Sequence, residues 1–316
     1  MSRIPRIAIV TPSFNTGRYI GATIRSVLEQ SHQNFDYLVM DGGSTDGTVD
    51  LLRGFGDQIR WVSEKDQGQG DAIRRGFDRT TGDILAWLNS DDLLNPGAFE
   101  TVAKYFVAHP EIDVVYGDAS YVDAEGNHIA RCAHVEPFSR RRLIRYSDFI
   151  VQPAAFFRRS AYDAVGGINP HWHWALDYDL WLRLAQKHRF AYIPVELARY
   201  RWLADNKTAS GGAARIDELW EMTSALGLRP PAYVELERVN LLAAAALESL
   251  GKLKLGAAAE RAARATTTLL ASPRAMWSLV SPHTWRIIWV GQVLRRRSVA
   301  MHSAKSWEGA PCTSQT

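Results

Sequence analysis

In the N-terminal two-thirds of the chain, short unbroken apolar runs alternate with longer segments in which apolar positions recur every three to four residues. Runs over residues 6–11, 35–40, 59–63 and 84–88 read as buried strands. Between them, helical spacing covers 19–30 (Ile20, Ile24, Val27, Leu28), a stretch ending near 55, 71–80 and 98–109. Strand alternating with helix predicts an α/β fold built on a mainly parallel sheet. The alternation stops after the strand at 114–117. A hairpin follows over 119–122 and 128–132, then a strand at 154–157 and a short helix over 160–165 broken by Gly166-Gly167. Leu176, Leu180 and Leu184 share one face of the next helix, and strands at 190–193 and 197–200 close the unit. From Ser210 onward the texture becomes Ala- and Leu-rich, with helices expected over 236–251 and 256–270. The reading is thus two parts: an α/β domain over 1–210 and a helical extension over 211–316 with a disordered end after 297.

Composition changes this picture only at the C-terminal end. The chain has 316 residues, 46% apolar and 22% charged, an ordinary globular balance. Lys and Arg exceed Asp and Glu by 37 to 34, and the surplus sits in residues 274–316, which carry six bases and one acid. The body has no basic excess, so a nucleic-acid partner is not expected. Trp277, Trp285 and Trp289 with Arg286 and Arg295-Arg296-Arg297 make 274–297 a candidate helix for a membrane surface. Arg140-Arg141-Arg142 with Arg145 reads as a solvated face. Cys132 and Cys312 lie far apart, which indicates neither a zinc site nor a disulfide framework. With no signal-like apolar region and no run of about 18 uncharged apolar residues, a soluble or peripheral cytoplasmic protein is expected.

Candidate chemistry gathers at strand ends. The run 84–88 stops at Asn89-Ser90-Asp91-Asp92, and in open α/β sheets ligands bind outside the carboxyl ends of strands. Acids there are placed to hold a cation and its phosphates. Asp41 ends the second strand and is followed by Gly42, Gly43 and Gly47, with Ser44, Thr45 or Asp46 available to cap the helix. Gly68-Gln69-Gly70 begins like a dinucleotide fingerprint, but Ile73 occupies the third glycine's place and the loop belongs to the third unit, not the first. No GxxxxGK[ST] loop occurs, which removes the common nucleotide hydrolases. Asp177 falls in the first turn of its helix, where free amides favour an ionised carboxylate. Trp172, His173 and Trp174 just before it suit stacking on sugar rings.

Taken together, Thr11-Pro12-Ser13-Phe14-Asn15, Asp41 to Thr48, Asn89-Ser90-Asp91-Asp92 and Asp177 to Leu184 resemble the family-2 inverting glycosyltransferases of the GT-A fold, over about residues 5–205. The resemblance implies a Rossmann-like domain, a nucleotide-sugar donor, a divalent metal (Mn²⁺ or Mg²⁺) and a saccharide or lipid-linked acceptor. By the same resemblance Thr11, Pro12, Ser13 and Asn15 line the nucleotide and Asp41 holds base or ribose. Asp66 and Asp71 lie near the uridine side, Asp91 binds the metal, and Asp177 is the general base.

The chemistry agrees with these roles. A metal neutralises the charge developing on a leaving diphosphate, and a carboxylate opposite it takes the proton of a poorly nucleophilic hydroxyl. One position departs from the pattern: Asn89 stands where the family's metal motif usually begins with Asp. Asn89 and Ser90 then contact the donor, with Asp92 a candidate to share ligation. The competing reading is an inert nucleotide-sugar-binding or scaffolding protein of the same fold, against which the intact Asp91, Asp92 and Asp177 argue.

Overall fold

Apolar side chains on both faces of the first strand require cover on both sides, and two hydrophobic clusters supply it. The computed structural model describes residues 4–203, 207–251 and 255–271. In β1 (Ile7–Ser13), Ala8 and Val10 enter one cluster while Ile7 and Ile9 enter the other, as the two-residue period of a strand demands. The first half follows the expected order: α1 (Ile20–Leu28), β2 (Phe35–Asp41), α2 (Thr48–Gly54), β3 (Arg60–Ser63), α3 (Gln69–Asp78) and β4 (Ile84–Trp87). Next come β5 (Leu93–Leu94), α4 (Ala98–Ala108), β6 (Val114–Val122), β7 (His128–Arg131), α5 (Arg140–Arg145), β8 (Ala155–Arg158) and α6 (Arg159–Ala164). The chain continues through α7 (Leu176–Lys187), β9 (Phe190–Arg201), α8 (Lys207–Ser210), α9 (Gly212–Ala225), α10 (Ala232–Gly251) and α11 (Leu255–Ala271).

One mixed sheet runs β3-β2-β1-β4-β8-β6-β9-β5, with β7 paired to β6. The first four strands are parallel, so β1 and β2 deliver Ser13 and Asp41 side by side, in register, at one edge. Beyond β4 the directions mix: β8 is antiparallel to both β4 and β6.

Two expected strands fuse into one. The sequence suggests a break between 193 and 197 because Pro194 has no N–H to donate, yet β9 is continuous over Phe190–Arg201. The register against β6 jumps from Gly117↔Ile193 to Asp118↔Glu196, so Pro194 and Val195 bulge out of the ladder. Gly117 makes room: a Cβ there would lie 2.5 Å from the Val195 carbonyl oxygen. The far end of β9 then pairs with β5, Leu93 opposite Arg199, which lays Arg201 across Asp91 and Asp92.

The helical part that begins at residue 211 packs on the sheet domain. Ile216, Leu219 and Met222 of α9 and Val234 of α10 join the cluster formed by α3, α7 and one sheet face. In the same cluster Trp87, the last residue of β4, stacks on Trp181 of α7 with ring centroids 5.8 Å apart and planes 16° apart. Both indole N–H groups are buried without a hydrogen-bond partner, so this contact rests on packing and not on polar pairing.

Candidate active site

The carboxyl ends of β1, β2 and β4 and the start of α7 border the same region. Thr11 is fully buried, its hydroxyl 3.1 Å from the Tyr37 phenol, and Pro12 is buried beside it. These two form a floor. Ser13 is paired with Thr16 at 2.9 Å. Asn15 has φ 53°, and its amide oxygen accepts from the Thr45 N–H at 2.9 Å while its own N–H donates to Ser44 at 2.7 Å. Asn15 therefore ties the loop after β1 to the loop after β2.

Asp41 is 2% exposed and organises that second loop. Its carboxylate accepts from the N–H groups of Gly43 (3.1 Å) and Ser44 (3.0 Å) and from the hydroxyls of Ser44 (2.5 Å) and Ser63 (2.6 Å). Three of these donors fall on Oδ2 and one on Oδ1, so Oδ1 is the less crowded of the two oxygens. Asp66 accepts from Gly68 N–H at 2.8 Å and lies against Gly42, where a Cβ would stand 2.9 Å from its Oδ2. Asp71 is buried at the start of α3 between Arg74 and Arg75, each 3.5 Å away.

The acids after β4 are not equivalent. Asp92 is 1% exposed; Oδ1 accepts from the Arg201 backbone N–H at 3.0 Å and Oδ2 from the Asn89 amide at 3.2 Å. Burial, reinforced by the neighbouring Asp91 charge, raises its pKa well above the ordinary carboxylate value. Asp91 is half-buried, and its carbonyl accepts from Arg201 Nε at 2.8 Å. Ser90 is buried, its carbonyl receiving the Thr23 hydroxyl at 2.9 Å. Asn89 donates to Asp92 and to Gln152 (3.1 Å) and accepts from Gln69 at 2.8 Å. Among the described residues no cluster of three or more His, Cys, Asp or Glu converges on a point. Asp91 supplies the more open carboxylate, a donor set that suits a hard cation taking its other oxygens from a diphosphate and water.

Across from these acids, α7 begins at Leu176, and Asp177 accepts from the Tyr178 N–H at 2.8 Å. It is partly buried, and burial pushes its carboxyl above the ordinary value. Asp148, from the turn before β8, faces it, with Lys207 and Arg215 as opposing cations. The approach to α7 is held by Glu218 of α9, which accepts three backbone N–H groups, from His173 (2.9 Å), Trp174 (2.6 Å) and Ala175 (2.8 Å). Trp172 is 7% exposed within the core, and the Trp174 indole donates to the Lys207 carbonyl at 3.1 Å. These tryptophans are packed, whereas the composition had suggested rings free to stack on sugar. Gln69, Asp148, Gln152, Arg201, Lys207 and Glu218 belong to this site's hydrogen bonds and charges and carry no motif in the sequence.

The chain belongs to glycosyl transferase family 2, whose family model matches residues 8–166, half of its length. It is 29% identical over 196 residues to a chondroitin synthase of Escherichia coli, covering 61% of this chain and 28% of that one. The chain therefore spans less than a third of the length of that relative. Among solved structures, the mannosyltransferase PcManGT of Pyrobaculum calidifontis, in complex with GDP-Man and Mn²⁺, superposes with a TM-score of 0.58 at 20% identity, over 94% of this chain and 88% of that one. A segment of TarS from S. aureus in complex with UDP-GlcNAc gives 0.58 at 15% identity, over 75% and 72%. The mixed sheet and its helices are thus those of the GT-A type, with a helical C-terminal part.

Proposed function

We propose that this protein is a metal-dependent, inverting glycosyltransferase that moves a sugar from a nucleoside-diphosphate donor, a UDP-sugar, to an acceptor hydroxyl in surface polysaccharide or glycolipid synthesis. The observation that carries the reading is that two partly buried acids, Asp91 just after β4 and Asp177 in the first turn of α7, are brought to one region, with Lys207 facing Asp177 and reaching through Gln69 to Asn89 in the Asp91 turn. A family-2 membership and structural neighbours bound to UDP-GlcNAc or to GDP-Man with Mn²⁺ support it.

In this reading the Ser13–Asn15 and Asp41–Ser44 loops cradle the nucleoside, with Asp66 and Asp71 bordering its base. Asp91 holds the cation, Asp92 fixes the turn from within, and Asn89 and Ser90 position the donor. A divalent cation held by Asp91 would supply Lewis-acid neutralisation of the charge on a departing diphosphate. Asp177 accepts the proton of the acceptor hydroxyl as the new glycosidic bond forms, and attack opposite the leaving group inverts the anomeric centre. Its raised pKa brings the base nearer to neutral pH, where proton transfer is more favourable. The acceptor is a saccharide or a lipid-linked sugar, reached at the inner face of the cell membrane, where residues 274–297 supply the attachment; that segment lies outside the described residues. Among the described residues no helix is long and apolar enough to cross a membrane.

A panel of UDP-, GDP- and dTDP-sugars scored by calorimetry and by donor hydrolysis tests this. The expected result is UDP-sugar binding that strengthens with Mn²⁺ or Mg²⁺ and loses that increment in Asp91→Ala. Equal binding under excess chelator and in the variant overturns the metal assignment. Binding without turnover on every acceptor favours the inert reading instead.

A further inference from the structure

Lys207 opens α8, and three contacts define where it sits. Its carbonyl receives the Trp174 indole N–H at 3.1 Å, its ammonium donates to Gln69 Oε1 at 2.7 Å, and the same charge faces Asp177 and Glu218. Gln69 is the first residue of α3, and its amide nitrogen donates to Asn89 Oδ1 at 2.8 Å. Asn89 in turn donates to Asp92 Oδ2 and Gln152 Oε1, and Gln152 donates to the Trp87 carbonyl at 2.7 Å. A continuous path of side-chain hydrogen bonds therefore runs from Lys207, whose charge faces Asp177, to the turn bearing Asp91.

The direction of that path is dictated at one end. An ammonium group only donates, so the Gln69 oxygen must face it; the Gln69 NH₂ then faces Asn89, whose oxygen must be the acceptor. Asn89 is left presenting its NH₂ to two oxygens, those of Asp92 and Gln152. One cation thus orients two amides in series. It also accounts for an amide at position 89, since a carboxylate there would lie against the buried Asp92 carboxylate and the Gln152 oxygen with no proton to offer.

We propose that Lys207 is a positioning residue for the transfer reaction: through Gln69 it sets the orientation of Asn89 beside the cation site, and by its charge it keeps Asp177 ionised. This rests on the assignment of Asp177 as the base. The groups facing Asp177 are Asp148 before β8, Lys207 of α8, Arg215 of α9 and Tyr233 of α10. Those facing Lys207 are Asp177, Glu218 and His173. Burial brings the Lys207 ammonium from the ordinary 10.5 down to about 8, against the pull of the two carboxylates.

Two measurements test the proposal independently. In the first, acylation of Lys207 by a neutral amine reagent, mapped by mass spectrometry across pH, should show a midpoint near 8 in the wild type and a lower one in Asp177→Asn, which removes a facing anion. A midpoint that Asp177→Asn does not move overturns the link, whether or not the protein transfers sugar. In the second, transfer is followed against pH. Lys207→Met should lower kcat about 10- to 100-fold, the range for loss of a supporting partner, and shift the acid limb of kcat/KM upward. Donor KM should change little, and Lys207→Arg should return the limb towards its wild-type position. Gln69→Leu should lower kcat while leaving the limb in place. A wild-type acid limb in Lys207→Met overturns the proposal, whereas a wild type inactive with every donor strikes the transferase reading and leaves labelling to decide this one.

Discussion

The Asp179 carboxylate is bound to Arg183, 2.6 Å from Nη2 and 2.9 Å from Nε, four residues along the same helix. Asp179 is 2% exposed, and Arg183 also donates to the Val165 carbonyl at 2.7 Å. Two acids two positions apart point about 200° away from each other around a helix, so Asp179 belongs to packing while Asp177 faces the other way, as the proposed base requires. Asp177→Asn should lower kcat by about 10²- to 10⁴-fold with donor affinity nearly unchanged and no loss of melting temperature. Asp179→Asn should do the reverse: a stability loss on the order of 3 kcal/mol from a broken buried pair, with much of kcat retained in the folded fraction. Steady-state kinetics and thermal melts on both variants check this, and a larger kcat loss at Asp179 would reverse the assignment.

Burial holds the Asp177 carboxyl above its ordinary 3.8, and this has opposite signs for activity and for stability. A base works only when ionised, so kcat/KM should fall as pH drops through the raised value. Stability runs the other way, because the folded state binds that proton more tightly than the unfolded chain. The favourable contribution is complete below 3.8 and is lost as pH rises through the folded value. Asp177→Asn lacks this loss, so its stability relative to wild type should increase with pH across that window and then level. Burial and the facing Asp177 charge raise the Asp148 carboxyl well above the ordinary value, so Asp148→Asn, which keeps a neutral group there, should leave the acid limb in place. Urea unfolding and pH–rate profiles measure both effects.

Gly42→Ala should weaken nucleoside binding. Its new Cβ would stand 2.9 Å from Asp66 Oδ2 and 3.3 Å from Oδ1, which requires the carboxylate to move. The expected effect is a higher donor KM with kcat retained, about tenfold if one charge-assisted hydrogen bond to the donor is lost. Calorimetry with UDP reads it, and an unchanged affinity would remove Asp66 from the base side.

Residues 274–297 should hold the protein on anionic vesicles, with about 1 kcal/mol from each basic residue near the surface added to tryptophan insertion. Truncation after Ser272 should release it. Co-sedimentation with liposomes that persists after truncation would show that attachment lies elsewhere.

Much of the fold was legible because an apolar run that stops at a polar residue marks a strand end as well as a strand. The ends near Asp41 and Asn89 were found this way. The continuity of β9 was not, since Pro194 signals a break and only the facing Gly117 reveals that a bulge can absorb it. At the site, the acids stood out by chemistry, but their inequality did not. Asp91 and Asp92 are adjacent letters, and it is the backbone N–H of Arg201, 109 positions away, that claims Asp92 for the interior. Gln69 and Lys207 are 138 positions apart and individually commonplace, so no local pattern announces their contact. Tryptophan content before α7 gave the residue type correctly but not its direction, which Glu218 decides by gripping the backbone there.

The stack of Trp87 on Trp181 has a further meaning for how such a site diversifies. One ring closes the strand that leads to Asp91; the other stands one helical turn beyond Asp177. The two indoles, both almost fully buried, fix the spacing between the end of β4 and α7. In the proposed reaction donor and acceptor must each fit the space that this spacing leaves, and a change of sugar or linkage has to be accommodated by the loops around it. On that reading, exchange of the loops over residues 64–68 or 169–174 should alter specificity, while replacing either indole by a smaller ring should loosen the spacing for every substrate at once.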